Sequence, residues 1–86
     1  MFYPRTRAIL SIQETKKRKK IQLDLEASEG YISGEYIYLY PPGIPILVPG
    51  EQISKEILQA VDYCKQEKME IQGLSDHKNR RIKVVK

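Results

Sequence analysis

The chain has 86 residues and a mass of 10.0 kDa, with 41% hydrophobic and 30% charged residues, a mean hydropathy of −0.51 and a formal net charge of +4. A chain of this length buries roughly 60–65% of the surface that its unfolded form exposes, so we expect one domain over residues 1–86 with a small core. The hydrophobic content excludes a fully disordered chain, and no run approaches the ~20 apolar residues that span a bilayer.

The first part of the chain predicts short elements around a basic run. Residues 1–13 suit either a helix opened by Pro4 or a short strand. The run Lys16–Lys20 holds five of the 15 basic residues, and without it 10 basic residues face 11 acidic ones, a net charge of −1. The protein is therefore not basic throughout, and we expect residues 14–20 to form an exposed loop.

The strongest strand pattern covers residues 31–40, Y-I-S-G-E-Y-I-Y-L-Y. Tyrosine and isoleucine are enriched in strands. Both faces of this strand are largely apolar, so we expect it to be covered on both sides. A shorter alternation precedes it, in which polar residues separate Ile21, Leu23 and Leu25.

Four of the five prolines fall within residues 41–49. Each fixes φ near about −65° and lacks a donor N–H. We therefore predict a rigid Pro/Gly-rich loop over residues 41–51 that stays outside any β-ladder.

A helix over about residues 54–68 follows, because Ser54 suits an N-cap and apolar residues recur at intervals of three and four. A short strand over 70–74, a polar turn over 75–79 and a terminal strand over 82–85 complete the pattern. The predicted fold class is α+β, a small mixed or antiparallel sheet with one main helix.

The sequence offers no catalytic constellation of its own. The single cysteine, Cys64, lies on the apolar face of the predicted helix and is interpreted as a packing residue. The single histidine, His77, excludes the usual His-rich metal sites, and one cysteine excludes a disulfide framework. We expect this chain to contribute no catalytic, cofactor-binding or metal-binding residue.

The basic run permits a second interpretation. Clustered lysine and arginine bind nucleic-acid phosphates by displacing counterions. A stand-alone module that binds nucleic acid or another anionic partner would use Lys16–Lys20, with help from Arg80–Lys86. No aromatic residue is interleaved for base stacking, so we favour the exposed loop and expect no nucleic-acid partner.

Three segments carry a more specific signal: G-Y-I-S-G-E at residues 30–35, Y-P-P-G-I-P at residues 40–45 and P-G-E at residues 49–51. They resemble the C-terminal domain of the ornithine/lysine/arginine decarboxylases, pyridoxal-phosphate enzymes of the aspartate-aminotransferase fold. That domain carries G-R-I-S-A-E, then Y-P-P-G-I-P and P-G-E. Weaker matches extend the resemblance over about residues 3–85, and here Tyr31 replaces the usual arginine and Gly34 a small alanine.

The resemblance implies a role in a larger enzyme that uses pyridoxal phosphate to decarboxylate a cationic amino acid in polyamine metabolism. This chain would pack on the large cofactor-binding domain, in cis or in trans, within an oligomer, and would help shape substrate access without catalysing the reaction alone. Neither a membrane nor a cofactor held by this chain is expected, and the setting is cytoplasmic. The motif residues assigned to substrate access or a domain interface are Glu35, Tyr40, Pro41, Pro42, Gly43, Ile44, Pro45, Pro49, Gly50 and Glu51.

One local match is interpreted as coincidence. The whole enzymes of this family hold their cofactor on the lysine of a Ser-x-His-Lys motif, and Ser75 to Lys78 reads S-D-H-K. The match falls in the predicted polar turn with no βαβ scaffold before it, so we expect a turn and not a cofactor site.

Overall fold

The computed structural model describes residues 7–40 and 43–86, with Arg7 and Tyr40 described by their backbone alone. These residues form an α+β fold, as predicted. One 3₁₀ turn covers Leu25–Ala27. The other elements, in chain order, are β1 (Arg7–Ala8), α1 (Ile12–Lys17), β2 (Lys20–Asp24), β3 (Ile37–Tyr40), β4 (Ile44–Leu47), β5 (Glu51–Gln52), α2 (Lys55–Gln66), β6 (Glu70–Gln72) and β7 (Arg81–Val85).

The strands form three antiparallel ladders, ordered β1–β5, β2–β7 and β4–β3–β6. Two isolated bridges connect the first two ladders: Ile32 pairs with Gln52, and Ser33 pairs with Val84. The stretch around residues 32 and 33 therefore lies between β5 and β7 and makes the two ladders continuous.

The β2–β7 ladder has one face toward the core and one toward solvent. Ile21 and Leu23 lie opposite Val84 and Ile82, and all four pack in or against the hydrophobic core. The predicted alternation is thus confirmed for the first two residues. Leu25 is also buried, but it lies in the 3₁₀ turn.

Strand β3 is shorter than the predicted strand over residues 31–40. The Ser33 hydroxyl donates to the Glu35 carbonyl oxygen (2.7 Å) and accepts from the Glu35 N–H (3.1 Å). Serine side chains that bond nearby backbone groups in this way offer an alternative to ladder pairing. The chain therefore turns at residues 33–36, and Ile37 and Leu39 are then almost completely buried.

The prediction that residues 41–51 stay outside any ladder is wrong for β4 and for Glu51, which begins β5 and pairs with Ala8. Ile44 pairs with Leu39 and Pro45 with Tyr38, and a bulge shifts the register before Leu47 pairs with Ile37. Because β4 is an edge strand of its sheet, a proline there costs no ladder bond on its outer side. Pro45 is therefore compatible with the edge position of β4.

The prediction of a loop over residues 14–20 is also wrong. Ser11 and Glu14 form a capping box: the Ser11 hydroxyl accepts from the Glu14 N–H (3.0 Å), and the Glu14 carboxylate accepts from the Ser11 N–H (3.2 Å). This pair satisfies two N–H groups at the start of a helix. Lys16 and Lys17 lie in the last turn of α1, where the helix dipole favours cations. Lys20 already begins β2, and the predicted role of Pro4 lies outside the described residues.

The main helix was located correctly. The Ser54 hydroxyl accepts from the Ile57 N–H (3.2 Å) at the N-cap of α2. Ile57, Val61 and Cys64 are buried on one face of α2, against the sheets. Met69 follows the helix and packs partly buried against the core.

The turn before β5 depends on Gly50. Its φ of +96° is in the region that favours glycine, and its carbonyl oxygen accepts from the N–H groups of Ile9 (2.9 Å) and Leu10 (3.0 Å). A Cβ at residue 50 would lie directly against the Leu10 carbonyl oxygen. Gly50 thus permits the contact that joins the N-terminal segment to the rest of the fold.

Replacing Gly50 with alanine should lower the free energy of unfolding by about 2–4 kcal/mol, because it adds a backbone clash to a strained φ. The measurement is urea denaturation followed by circular dichroism. Gly30→Ala is the matched control, since Gly30 has a φ of +87° but no atom within 4 Å of the position that a Cβ would take. The control should lose only about 1 kcal/mol; equal losses in the two variants would contradict the clash.

Candidate functional site

The predicted motif residues lie in three linked parts of the fold. Glu35 is in the turn before β3, Tyr40 ends β3, Ile44 and Pro45 begin β4, and P-G-E leads into β5. Pro41 and Pro42 lie outside the described residues. Backbone pairing connects these segments, but each segment has a distinct role in the local structure.

Glu35 links two distant parts of the chain through its side chain. One carboxylate oxygen accepts from the Ser75 N–H (2.8 Å), and the other accepts from the Lys83 N–H (2.8 Å). Both partners are backbone groups from other parts of the chain. Charge-assisted hydrogen bonds of this kind are stronger than neutral ones, so Glu35 holds the polar turn and β7 against the start of β3.

Glu51 closes the turn that contains Pro49 and Gly50. Its carboxylate accepts from the Val48 N–H (2.8 Å), and its own N–H donates to the Val48 carbonyl oxygen (3.2 Å). Both residues between Val48 and Glu51 are buried. This geometry makes Glu51 a loop-closing residue.

The β3–β4 hairpin presents the rest of the motif. Gly43 has a φ of +86° and donates its N–H to the Leu39 carbonyl oxygen (2.8 Å), which closes the hairpin. Ile44 then pairs with Leu39, and the exposed Pro45 pairs with Tyr38. Tyr40 pairs through its backbone with Glu70 of β6.

A groove that the sequence pattern did not indicate lies between this hairpin and α2. We call it the α2 groove; its volume is about 380 Å³. Tyr63 is 54% exposed, although it is a large aromatic residue. In the sequence, the apolar periodicity of α2 does not include Tyr63. Only the adjacent Cys64, which belongs to the apolar face, indicated that this side of the helix lies near the sheet. The groove is lined by Leu39, Ile46, Glu56, Gln59, Ala60, Tyr63 and Cys64.

Cys64 lies at the floor of the α2 groove and is almost completely buried. Burial raises the pKa of its thiol, because the thiolate would lose hydration there. The protonated thiol is a weak nucleophile, which supports the packing role predicted for it.

The S-D-H-K segment forms a hydrogen-bonded turn, as predicted. The Asp76 carboxylate accepts from the backbone N–H groups of Lys78 (3.3 Å), Arg80 (3.0 Å) and Arg81 (3.0 Å). These bonds, that from Arg80 first, lower the pKa of Asp76 below its usual value. His77 and Lys78 are exposed on the same turn.

The β2–β7 ladder brings basic residues from the two ends of the sequence next to each other, since the Lys86 N–H donates to the Lys19 carbonyl oxygen (2.9 Å). On the outer face of β2 and β7, Arg81 lies opposite Asp24 and pairs with it at 3.5 Å. The aliphatic stem of Lys20 covers Gly34, where a Cβ would lie 2.6 Å from the lysine Cδ. Lys20 therefore takes the space that the family's alanine methyl would need. Because Lys20 and Arg81 have these local structural roles, the alternative of a nucleic-acid module is not favoured.

Among residues 7–40 and 43–86, no group of three or more His, Cys, Asp or Glu side chains is placed to hold a metal ion. The same residues contain no helix that is long and apolar enough to cross a membrane.

Replacing Glu35 with glutamine should lower the free energy of unfolding by about 1–3 kcal/mol, because the amide has one acceptor oxygen for two backbone donors. Urea denaturation of the purified chain measures this loss. Glu29→Gln removes the same charge from an exposed residue for which the described part of the chain supplies no hydrogen-bond partner. Equal stability of both variants would contradict the bridging role of Glu35.

The stability that Asp76 contributes should depend on pH. Because its pKa is lower in the folded than in the unfolded chain, the contribution is present above the unfolded pKa and is lost as the pH falls through the folded one. Asp76→Asn should therefore be less stable than the wild type near pH 7, with a difference that shrinks below about pH 4. Urea midpoints between these pH values test this, with Asp62→Asn as a reference for removing an exposed carboxylate. A difference that stays constant over the range would contradict it.

Comparison with known proteins identifies the family. The family model described as "Orn/Lys/Arg decarboxylase, C-terminal domain" matches residues 4–85. The arginine decarboxylase of Halalkalibacterium halodurans is 39% identical over 61 residues, which are 71% of this chain and 12% of that protein. The arginine decarboxylase of Bacillus subtilis is 34% identical over 64 residues, which are 74% of this chain and 13% of that protein.

Solved structures agree. The constitutive lysine decarboxylase of Escherichia coli superposes with a TM-score of 0.76 and 27% identity over 94% of this chain, which is 14% of that chain. The lysine decarboxylase of Francisella novicida gives a TM-score of 0.77 with 23% identity over 96% of this chain, and this match shows the fold alone. The chain thus spans only 12–14% of the length of these relatives. By the match over residues 4–85, it belongs to the C-terminal domain family of the ornithine/lysine/arginine decarboxylases.

Proposed function

We propose that this chain is the C-terminal part of a pyridoxal-phosphate-dependent decarboxylase of a basic amino acid. In that enzyme it packs on the larger catalytic part and helps shape the route of the substrate. The family match over residues 4–85 carries this proposal, together with the small share of the relatives that the chain covers. Relatives named as arginine and as lysine decarboxylases both match, so the proposed substrate class is a cationic amino acid.

The described residues do not fit a pyridoxal-phosphate site. Lys78, which matches the family's cofactor lysine in local sequence, is exposed on a turn, and the adjacent Asp76 carboxylate is engaged by backbone N–H groups. Cys64 is buried with a raised pKa. These observations support a cofactor held by the larger part of the enzyme.

The contribution to substrate access is assigned to the β3–β4 hairpin and the turn that Glu51 closes. The hydrogen bond from Val48 to the Glu51 carboxylate, with the buried Pro49 and Gly50, fixes this turn in shape. A fixed carboxylate near a substrate route favours cations electrostatically. The enzyme is proposed to be cytoplasmic and oligomeric, with the larger part supplied in cis or in trans.

The size and activity of the native protein test this proposal. An antibody raised against these 86 residues should detect a polypeptide or a stable assembly in the source cells that is much larger than 10.0 kDa. Purified with added pyridoxal phosphate, that material should release CO₂ from arginine, lysine or ornithine. The 86-residue chain, assayed in parallel as the control, should release none. A protein that stays at 10.0 kDa and copurifies with no decarboxylase would contradict the proposal.

A further inference from the structure

We propose that the α2 groove is the surface through which this domain docks on the larger, catalytic part of the decarboxylase, and that the occupant is a set of apolar side chains from that part. The inference rests on the proposed function and adds to it the position and chemistry of the contact. It depends on the residues that line the groove, the contrast with the opposite side of α2 and the length of the relatives.

The first observation is the exposure of an aromatic residue in a concave site. Tyr63 is 54% exposed in the chain alone, beside the buried Leu39 and Cys64. Buried tyrosine is among the residues that contribute most to protein interfaces, because it offers a large apolar area with one polar end. The groove therefore has an anchor of the kind that partner proteins cover.

The second observation is that the two sides of α2 differ in charge. Of the seven described residues that line the α2 groove, Glu56 is the one acidic or basic residue. On the opposite side, a cavity of about 400 Å³ has nine lining residues, of which six are acidic or basic: Asp24, Glu26, Asp62, Lys65, Arg80 and Arg81. Depletion of charge at the centre distinguishes the core of an interface from ordinary surface, so the α2 groove suits a protein contact and the opposite cavity suits water.

The third observation identifies the occupant. The matched family is a C-terminal domain, and the chain accounts for only 14% of a lysine decarboxylase that shares its fold. The remaining part of such an enzyme is several times larger than this chain and precedes it in sequence. The larger part of the same enzyme can therefore supply the apolar side chains that cover the groove. For this reason we favour the larger part, and not a second copy of this chain, as the occupant.

The location of the groove beside the family motif also supports the catalytic part as the occupant. One wall is the β3–β4 hairpin, with Leu39 and Ile46, and this hairpin contains the Y-P-P-G-I-P segment. Docking at the groove would bring these two strands against the catalytic part. The strands that carry the described residues of the family motif would then lie at the interface with the rest of the enzyme.

Hydroxyl-radical footprinting tests the proposal. The native assembly purified from the source and the 86-residue chain alone are oxidised under the same conditions, and modification is quantified by mass spectrometry. Tyr63 should be modified at least about fivefold less in the assembly, because docking excludes water from the groove. Tyr31, which is 43% exposed elsewhere on the chain, is the internal reference for a comparable side chain.

The outcomes separate the proposal from the proposed function. Protection of other surfaces with Tyr63 still reactive would overturn the groove as the docking site and leave the proposed function intact. No protection anywhere would overturn both. Protection of Tyr63 that appears in the 86-residue chain alone as its concentration rises would identify a second copy as the occupant and would also overturn the proposal.

A pair of variants in the native polypeptide provides an independent readout. Gln59 lines the groove, whereas Gln66 is exposed at the end of the same helix and outside the groove. Gln59→Arg should restore the reactivity of Tyr63 in the assembly, because it places a charge in an apolar contact, whereas Gln66→Arg should not. Circular dichroism checks that both variants keep the helix. Equal protection of Tyr63 in the two variants would overturn the proposal.

Discussion

The fold depends on one short stretch of backbone, residues 31–34, that is hydrogen-bonded on both sides. Toward β5, the Ser33 N–H donates to the Glu51 carbonyl oxygen and the Ser33 carbonyl accepts from the Gly50 N–H, at 2.8 and 2.9 Å. Toward β7, the Gly34 N–H donates to the Lys83 carbonyl oxygen, and the Ile32 carbonyl accepts from the Val85 N–H, both at 2.8 Å. A two-stranded ladder is marginally stable alone. The stretch therefore stabilises two ladders by making them one.

The G-Y-I-S-G-E motif has a structural explanation at this joint. Gly34 has no Cβ, which leaves space for the stem of Lys20 and the carbonyl of Lys83. The next residue, Glu35, reaches the N–H groups of Ser75 and Lys83. Three consecutive residues, 33 to 35, thus connect β5, β7 and the polar turn. Ser33 and Glu35, which this chain shares with the family motif, are thus residues that the antiparallel topology requires locally, whereas Gly34 replaces the family's alanine and leaves room for Lys20.

Sequence reasoning was successful where one local signal determined the element. The α2 helix has an N-cap serine and a regular apolar face, and the polar turn has Asp76 followed by backbone donors. It failed where two signals competed. In α1, the charges of Lys16–Lys20 concealed the Ser11 capping box, and in β4 the prolines concealed an edge strand. Both failures came from judging residue types without their position in an element.

The α2 groove was beyond sequence reasoning for a different reason. Its walls come from β3, β4 and α2, so it exists only after long-range pairing has placed Ile46 beside the helix. The hydrogen bonds of Glu35 with the Ser75 and Lys83 N–H groups could not be predicted for the same reason, since those partners are distant in sequence. Only the resemblance to a known family carried information across such distances.

Strand β3 connects the joint to the groove. It begins two residues after Glu35, and its buried Leu39 both packs in the core and forms part of the groove wall. Packed interiors deform little, so the geometry fixed at the joint is carried along β3 to the hairpin. The hydrogen bonds of residues 31–35 therefore determine where the β3–β4 hairpin and the α2 groove lie relative to β5 and β7. A domain built in this way presents a rigid surface, and rigid surfaces lose less conformational entropy on docking than flexible ones.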